Sequence, residues 1–357
     1  MTASTGHTTF HPLRVTAIDR LTDDAVALSF AVPPELRADY GYLPGQHIAL
    51  RRTGSDGTEV RRTYSLCNAA STEPDTLRIG VRYVEGGEFS GYALKELSVG
   101  DSVEVLPPTG RFVLEPRAGR FAAIVGGSGI TPVMSIAATL LERSPESRFC
   151  LIRSDRAAAS TMFLEEVADL KDRYPDRFQV LHAFSREEQQ AGLPSGRLDR
   201  ERLTGLLPAF LPVADVDGWY LCGPLGLCEG AAEALRALDV PRARIHQEIF
   251  HADATPAVPP PADAPASATV TAVLGGRSGS WPMQEGESVL ETVLRNRADA
   301  PYACKGGVCG TCRVQLLGGE VRMDRNYALE PEELEAGYVL ACQSHPVTEA
   351  VEVDFDA

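Results

Sequence analysis

The sequence predicts a multi-domain chain: an antiparallel β-barrel, then a parallel α/β domain, then a small α+β domain behind a tether. Three observations carry this. Up to about residue 115, short alternating or β-branched runs are broken by Gly and Pro turns. From Phe121, continuous apolar runs alternate with helical stretches, the pattern of a parallel sheet covered on both faces. His251–Ser267 then carries five prolines and six alanines, with almost nothing to bury. Extended at about 3.1 Å per residue, that stretch spans roughly 50 Å. The domains expected are residues 1–115, 116–250 and 268–357, with 251–267 as the linker.

In the first domain the strands are expected at Ala25–Phe30, His47–Leu50 and Leu77–Val84, punctuated by Pro33-Pro34, Gly45, Gly86-Gly87 and Pro107-Pro108. In the second they fall at Phe121–Val125, Phe149–Ile152, Phe178–Leu181 and Trp219–Leu221. Beyond the tether, Thr269–Leu274, Arg313–Leu317 and Val351–Asp354 read as strands and Ser288–Arg297 as a helix.

Composition excludes several classes. With 44% hydrophobic and 23% charged residues the chain reads as globular, and no run approaches the 18 apolar residues of a membrane span. A net charge of −15 argues against a nucleic-acid partner, because phosphate binding wants a basic face. Residues 268–357 hold 14 acidic and 7 basic side chains, an acidic surface able to steer docking to a basic partner. The N-terminal Met1–His7 stretch has no apolar core of a secretion signal, so a reducing cytoplasm is the expected compartment for eight cysteines.

Four of those cysteines carry metal chemistry. Cys304, Cys309 and Cys312 stand as C-x4-C-x2-C, and Cys342 follows after 29 residues. This is the ligand spacing of a plant-type [2Fe–2S] cluster. Gly306, Gly307 and Gly310 let the backbone turn tightly and aim N–H groups at sulfur. A structural zinc site would pair its cysteines as C-x2-C twice, and a disulfide framework would need an oxidising compartment. Cys67, Cys150, Cys222 and Cys228 have no mutual metal spacing.

Two further sites lie upstream. In Val60-Arg-Arg-Thr-Tyr-Ser-Leu66, Arg62 and Tyr64 project from the same face of a strand. There Tyr64 can stack on a flavin ring, Arg62 can pair with phosphate and Ser65 can bond the flavin N5 edge. Gly86-Gly87-Glu-Phe89-Ser90 is a glycine turn opening a helix, whose free N–H groups and Ser90 suit a pyrophosphate. Gly126-Gly127-Ser-Gly129-Ile-Thr131-Pro132 is a second glycine loop between strand and helix, with Thr131 expected at the N-cap and Pro132 in first helical position.

These motifs, with Pro44-Gly-Gln46, Gly110-Arg-Phe112 and Cys222-Gly223-Pro224, resemble the ferredoxin–NADP reductase superfamily, whose flavin barrel carries R-x-Y-S and then G-G-x-x-S. The C-terminal cluster motif narrows the resemblance to oxygenase reductases and implies a β-grasp ferredoxin fold for the last domain. It implies Cys222 beside the carbon that gives up hydride, Glu248 and Phe250 beside the flavin, and a Ser185-Arg186 pair on the NADPH 2′-phosphate. Ser154 and Arg156 are further candidates for that phosphate, and the alternative for Ser185-Arg186-Glu187 is a solvated helix start. FAD rather than FMN follows from resemblance alone.

Among phthalate-dioxygenase-type, ketosteroid-hydroxylase and phenylacetyl-CoA epoxidase reductases, Phe10–Val15, Arg20–Phe30, Arg61–Cys67 and Ser160–Phe163 look most like the last. The resemblance implies electron flow from NADPH through FAD and [2Fe–2S] to the di-iron oxygenase subunits of an epoxidase complex. The alternatives are a reductase for a ring-hydroxylating dioxygenase or steroid hydroxylase, and a redox sensor.

Overall fold

The structure is a computed structural model, and it describes residues 9–54, 57, 59–187, 196–251 and 268–357. The chain divides into two compact units, Met1–His251 and Ala252–Ala357. His251 is the last residue of a strand, so the tether's first expected residue belongs to a sheet; residues 252–267 lie outside the described residues.

The first unit opens with six antiparallel strands: β1 (His11–Thr22), β2 (Ala25–Ala31), β3 (His47–Thr53), β4 (Glu59–Ser65), β5 (Thr76–Arg82) and β6 (Ser102–Val105). A helix, α1 (Glu88–Lys95), lies between β5 and β6 in sequence. Strand order is β4-β3-β6-β1-β2-β5. Leu66, just past β4, bridges to Ile79 in β5, so the two outer strands meet and the sheet closes on itself. Strand β2 is buried on both faces. Val26, Leu28 and Phe30 point into the barrel, whereas Ala25 and Ala27 join a second core outside it. The period-2 pleat places the two sets on opposite faces.

That second core is built on a parallel sheet: β7 (Arg120–Gly126), α2 (Ile130–Arg143), β8 (Arg148–Asp155), α3 (Leu164–Arg173), β9 (Phe178–Phe184), α4 (Arg200–Phe210), β10 (Gly218–Pro224), α5 (Leu225–Ala237) and β11 (Ile245–His251). Strand order β11-β10-β7-β8-β9 shows the chain running outward from β7 and then returning to its other side. The order therefore reverses between β7 and β10, where open α/β sheets bind ligands beyond the strand ends.

Barrel and parallel sheet share Ala25, Ala27, Cys67, Phe112 and Leu114 in one continuous core with Ile136 and Phe163. Across the same junction the Ala70 N–H donates to Thr139 Oγ1 at 2.8 Å, and Arg78 pairs with Glu166 at 3.3 Å. The two sites expected on these sheets are thus held in one body.

One expectation is corrected. A 3-10 turn covers Gly127–Gly129, and α2 starts at Ile130 with Gly129 as its N-cap. Thr131 is not the cap; its hydroxyl donates to the Ser128 carbonyl at 3.0 Å. Pro132, the third residue of α2, is tolerated because N–H groups of the first turn have no intrahelical partner to lose.

The second unit is a mixed five-stranded sheet ordered Arg277–Pro282, Thr269–Leu274, Ala350–Asp354, Arg313–Gly318 and Tyr338–Leu340. Its strands are β12 (Thr269–Leu274), β13 (Arg277–Pro282), β14 (Arg313–Gly318), β16 (Tyr338–Leu340) and β18 (Ala350–Asp354), with a small β15 (Val321–Met323) and β17 (Ser344–Pro346) pair beside it. Strands β12 and β18 run parallel and the other pairs antiparallel. Helix α6 (Val289–Asn296) lays Val289, Leu290 and Val293 on the core. Ser288 caps it in a reciprocal capping box with Glu291. A short α7 (Pro331–Glu335) precedes β16. Among the described residues no helix is long and apolar enough to cross a membrane.

Candidate redox site

Four chemistry-bearing side chains meet where the barrel faces the parallel sheet. His47 and Ser65 are cross-strand partners in the β3–β4 pair. Cys222 and Glu248 are partners in the β10–β11 pair. The two pairs face one another: Ser65 Oγ donates to Glu248 Oε2 at 3.3 Å, and His47 Nδ1 lies 3.8 Å from Glu248 Oε1. Ser65, His47 and Cys222 are buried. Burial, then the nearby Glu248 and Cys228, pushes the Cys222 thiol well above its ordinary range, so it stays a neutral thiol. Phe250 is half-buried against the same core. His47 carried no motif in the sequence; only the pairing of β3 with β4 brings it beside Ser65.

The two nucleotide motifs touch. A Cβ placed on Gly129 would stand 2.2 Å from the Cys222 carbonyl oxygen, and one on Gly223, at φ +146°, would meet the Gly126 carbonyl oxygen at 2.9 Å. The glycines therefore let the β7 and β10 loops pass each other, as well as leaving N–H groups open to a phosphate. Gly127, at φ +56°, donates its N–H to Asp155 Oδ1 at 3.2 Å. Asp155 is in turn paired with Arg153 at 3.1 Å, both side chains buried.

Beyond these loops opens a cleft of about 420 Å³, bordered by Gly126, Gly127, Gly223 and Pro224. Ser154, Arg156, Ser185 and Arg186 line it together, as do Arg82 and Arg197. The strand ends are joined there, since Arg186 N–H donates to the Arg156 carbonyl at 2.9 Å. Arg156, Arg186 and Arg197 are exposed. Arg82 is already paired within the cleft wall, with Asp24 at 3.4 Å and with the Ser160 carbonyl. Sequence reading missed Arg197, which no motif marks.

On the barrel, Arg62 is exposed and Tyr64 half-buried on the same face of β4, with the Tyr64 ring 5.5 Å from Phe89. Burial pushes the Tyr64 phenol up. Gly87 caps α1, and among the described residues no side-chain cap hydrogen bond closes that helix end. Ser90 is turned inward: its hydroxyl accepts from the Val84 N–H at 3.1 Å and fastens the turn. Phe89 is in the barrel core. These residues fit a flavin with its pyrophosphate at an uncapped helix end.

In the second unit the loop from Cys304 to Cys312 is unusually bent. Lys305 has φ 52°, Gly307 φ 75° and Gly310 φ 68°, a left-handed series that curls the backbone inward. The Gly306 N–H points at Cys304 Sγ at 3.3 Å, and Gln343 Nε2 lies 3.5 Å from Cys342 Sγ. The Ala341 N–H donates to the Cys312 carbonyl, which brings the fourth cysteine to the loop. The hydrogen bond from Cys309, with backbone N–H groups of Gly306, Val308 and Cys309, holds the Cys304 thiol below its ordinary range. The thiols associate as two pairs, Cys304 with Cys309 and Cys312 with Cys342. No three His, Cys, Asp or Glu side chains among the described residues converge as a site for one metal ion. Two thiolates per iron is the donor set of a two-iron cluster, so the residues fit that group.

Comparison with known proteins agrees with this architecture. Residues 12–114 match an oxidoreductase FAD-binding domain, 123–233 an oxidoreductase NAD-binding domain and 276–347 a 2Fe-2S iron-sulfur cluster binding domain. The chain is 44% identical to one of the subunits of 1,2-phenylacetyl-CoA epoxidase from Escherichia coli, over 98% of this chain and 99% of that protein. It is 34% identical to the ferredoxin reductase component of 3-ketosteroid-9-alpha-monooxygenase from Rhodococcus rhodochrous, over 96% of each. Among solved structures it resembles phthalate dioxygenase reductase, described as modular for electron transfer from pyridine nucleotides to [2Fe-2S], with a TM-score of 0.61 and 26% identity over 97% of this chain and 98% of that one. A flavin barrel, a nicotinamide nucleotide sheet and a [2Fe–2S] ferredoxin unit thus follow one another in one polypeptide, and the chain belongs to the family of modular oxygenase reductases.

Proposed function

We propose that this reductase draws on NADPH and FAD and delivers electrons through its [2Fe–2S] cluster to the di-iron oxygenase subunits of a phenylacetyl-CoA epoxidase. The observation that carries the choice of client is the 44% identity to a component of such an epoxidase across nearly the whole of both chains. The proposed domains are residues 1–115, 116–250 and 268–357, and a cluster held by thiolates favours the reducing cytoplasm.

When bound, FAD supplies the conversion between a hydride's electron pair and single electrons, which suits a cluster that accepts one at a time. Tyr64 offers a half-buried ring for stacking, Arg62 meets phosphate charge, and the Gly86-Gly87 turn opens the uncapped end of α1 to the pyrophosphate. Ser65 holds a hydroxyl at the reacting edge, oriented by Glu248. Cys222 presents a neutral, apolar thiol to the nicotinamide ring. Gly126, Gly127, Gly129, Gly223 and Pro224 shape the floor under the nucleotide, with Thr131 fastening the glycine turn. NADPH is favoured because Ser154, Arg156, Ser185, Arg186 and Arg197 gather at one cleft, where guanidinium forks suit a 2′-phosphate. Cys304, Cys309, Cys312 and Cys342 hold the cluster.

The test is reconstitution with purified epoxidase subunits. NADPH-driven consumption of O₂ that depends on phenylacetyl-CoA supports the assignment. Turnover only with a steroid hydroxylase or a ring-hydroxylating dioxygenase would move the chain to those clients. A Cys309→Ala variant should lose cytochrome c reduction while keeping ferricyanide reduction.

A further inference from the structure

The sheet that carries the nucleotide loops buries an ion pair that the function above leaves unused. Arg153 and Asp155 are alternate residues of β8, so the pleat sends both side chains to the same face. Arg153 Nε lies 3.1 Å from Asp155 Oδ2, with the two side chains 0% and 2% exposed. Burying two charges costs free energy that an apolar pair of the same volume would not. Stability alone therefore gives no reason for the pair.

Its position does. Asp155 borders the nucleotide cleft and ties two of its walls together. Its Oδ1 accepts the Gly127 N–H at 3.2 Å, on the wall made by the glycine loop. Its backbone carbonyl accepts the Ser185 N–H at 2.9 Å, on the wall that leads to Arg186. A carboxylate is a strong acceptor for holding Gly127 at φ +56°, but it brings negative charge to a site for anions. Unpaired, it would repel a pyrophosphate. Arg153 removes that conflict. Its Nη2 donates to the Met162 carbonyl at 3.0 Å, which holds the guanidinium in place. Among the described residues no other cation pairs with Asp155. His182, the partner of Arg153 on β9, is pushed down by burial and then by Arg153, so its imidazole stays neutral. Arg82 is taken by Asp24 and the Ser160 carbonyl.

We propose that Arg153 and Asp155 are positioning residues for the nucleotide. Asp155 sets the Gly127 loop, and Arg153 cancels the charge that would otherwise repel the phosphates above it. Neither touches the nucleotide chemistry; they act through the loop and the field at its base. This rests on the reading of Gly126 and Gly127 as the floor under the nucleotide given above.

The test is calorimetric titration of oxidised, full-length, FAD-replete protein with NADP⁺ at about pH 8, where carboxylates are ionised. The readout is binding, not turnover. Arg153→Met leaves the carboxylate unpaired and should raise Kd by about tenfold or more. Arg153→Met combined with Asp155→Asn removes both charges and keeps an acceptor for the Gly127 N–H. It should bind about fivefold more tightly than Arg153→Met alone. A merely structural Arg153 predicts the reverse, because the second substitution would then add to the loss. An Arg153→Met Kd within about twofold of wild type, or a double variant no tighter than the single, would overturn the proposal and leave the nucleotide reading standing. Wild-type protein that takes up no NADP⁺ would overturn both. If Arg153→Met fails to retain flavin, Asp155→Ala is compared with Asp155→Asn. The alanine has no acceptor for Gly127 and should bind about fivefold more weakly, and equal constants would overturn the proposal.

Discussion

Gly129 lies so close to Cys222 that a Cβ on it would stand 2.2 Å from the Cys222 carbonyl oxygen. The residue that ends the first nucleotide loop is thus packed against the backbone of the residue that begins the second. The switch point of the sheet owes its shape to this contact, because β7 and β10 are neighbours whose following loops diverge to opposite sides.

Gly129→Ala should therefore destabilise the first unit by about 1–3 kcal/mol, the usual cost of forcing a methyl into a filled site, and should weaken nucleotide binding as the loops part. Gly205→Ala is the control. It lies inside α4 with nothing within 4 Å of its Cβ position, so it should stabilise by roughly 0.5–1 kcal/mol. Thermal unfolding of both variants checks this; equal shifts would remove the loop contact from the account.

Arg186→Ala should remove a charge-assisted contact worth roughly 1.5–3 kcal/mol from NADPH binding while sparing NADH. Arg197→Ala should act in the same direction. Steady-state KM values with the two nucleotides decide it, and equal losses for both would defeat the 2′-phosphate assignment.

Much of this site was legible because each motif sits where a strand ends. R-x-Y-S closes β4, Gly126 closes β7 and Cys222-Gly223-Pro224 closes β10, so local sequence announced both residue and position. Ser288 and Arg297 bounded α6 as its N-cap and C-cap. What was not legible depends on contacts far apart in sequence. His47 acquires meaning only through its register with Ser65 and the approach of Glu248, 183 residues beyond Ser65. Arg197 enters the cleft from a segment with no pattern of its own. Thr131 was misread because a Thr before a Pro looks like a cap, whereas three residues of 3-10 turn had already taken that place.

Tyr64→Ala should weaken FAD retention by about 0.5–1.5 kcal/mol, the value of an aromatic stacking contact. Titration of the flavin-free variant with FAD measures it. Unchanged affinity would place the isoalloxazine away from β4.

Gln343→Ala should lower the cluster's reduction potential. Hydrogen bonds to sulfur favour the more negative, reduced state, and Gln343 Nε2 is directed at Cys342 Sγ. A bond worth roughly 0.5–1.5 kcal/mol corresponds to about 20–65 mV for one electron. Redox titration followed by electron paramagnetic resonance reads the shift; a rise would contradict the role given to Gln343.

The central claim is that two pairs of thiolates, Cys304 with Cys309 and Cys312 with Cys342, hold two irons as the outlet for electrons entering at the flavin. The most direct measurement is the iron, acid-labile sulfide and zinc content of anaerobically purified protein. The account predicts about two irons and two sulfides per chain, as one [2Fe–2S] cluster requires. Stoichiometric zinc without sulfide would contradict it.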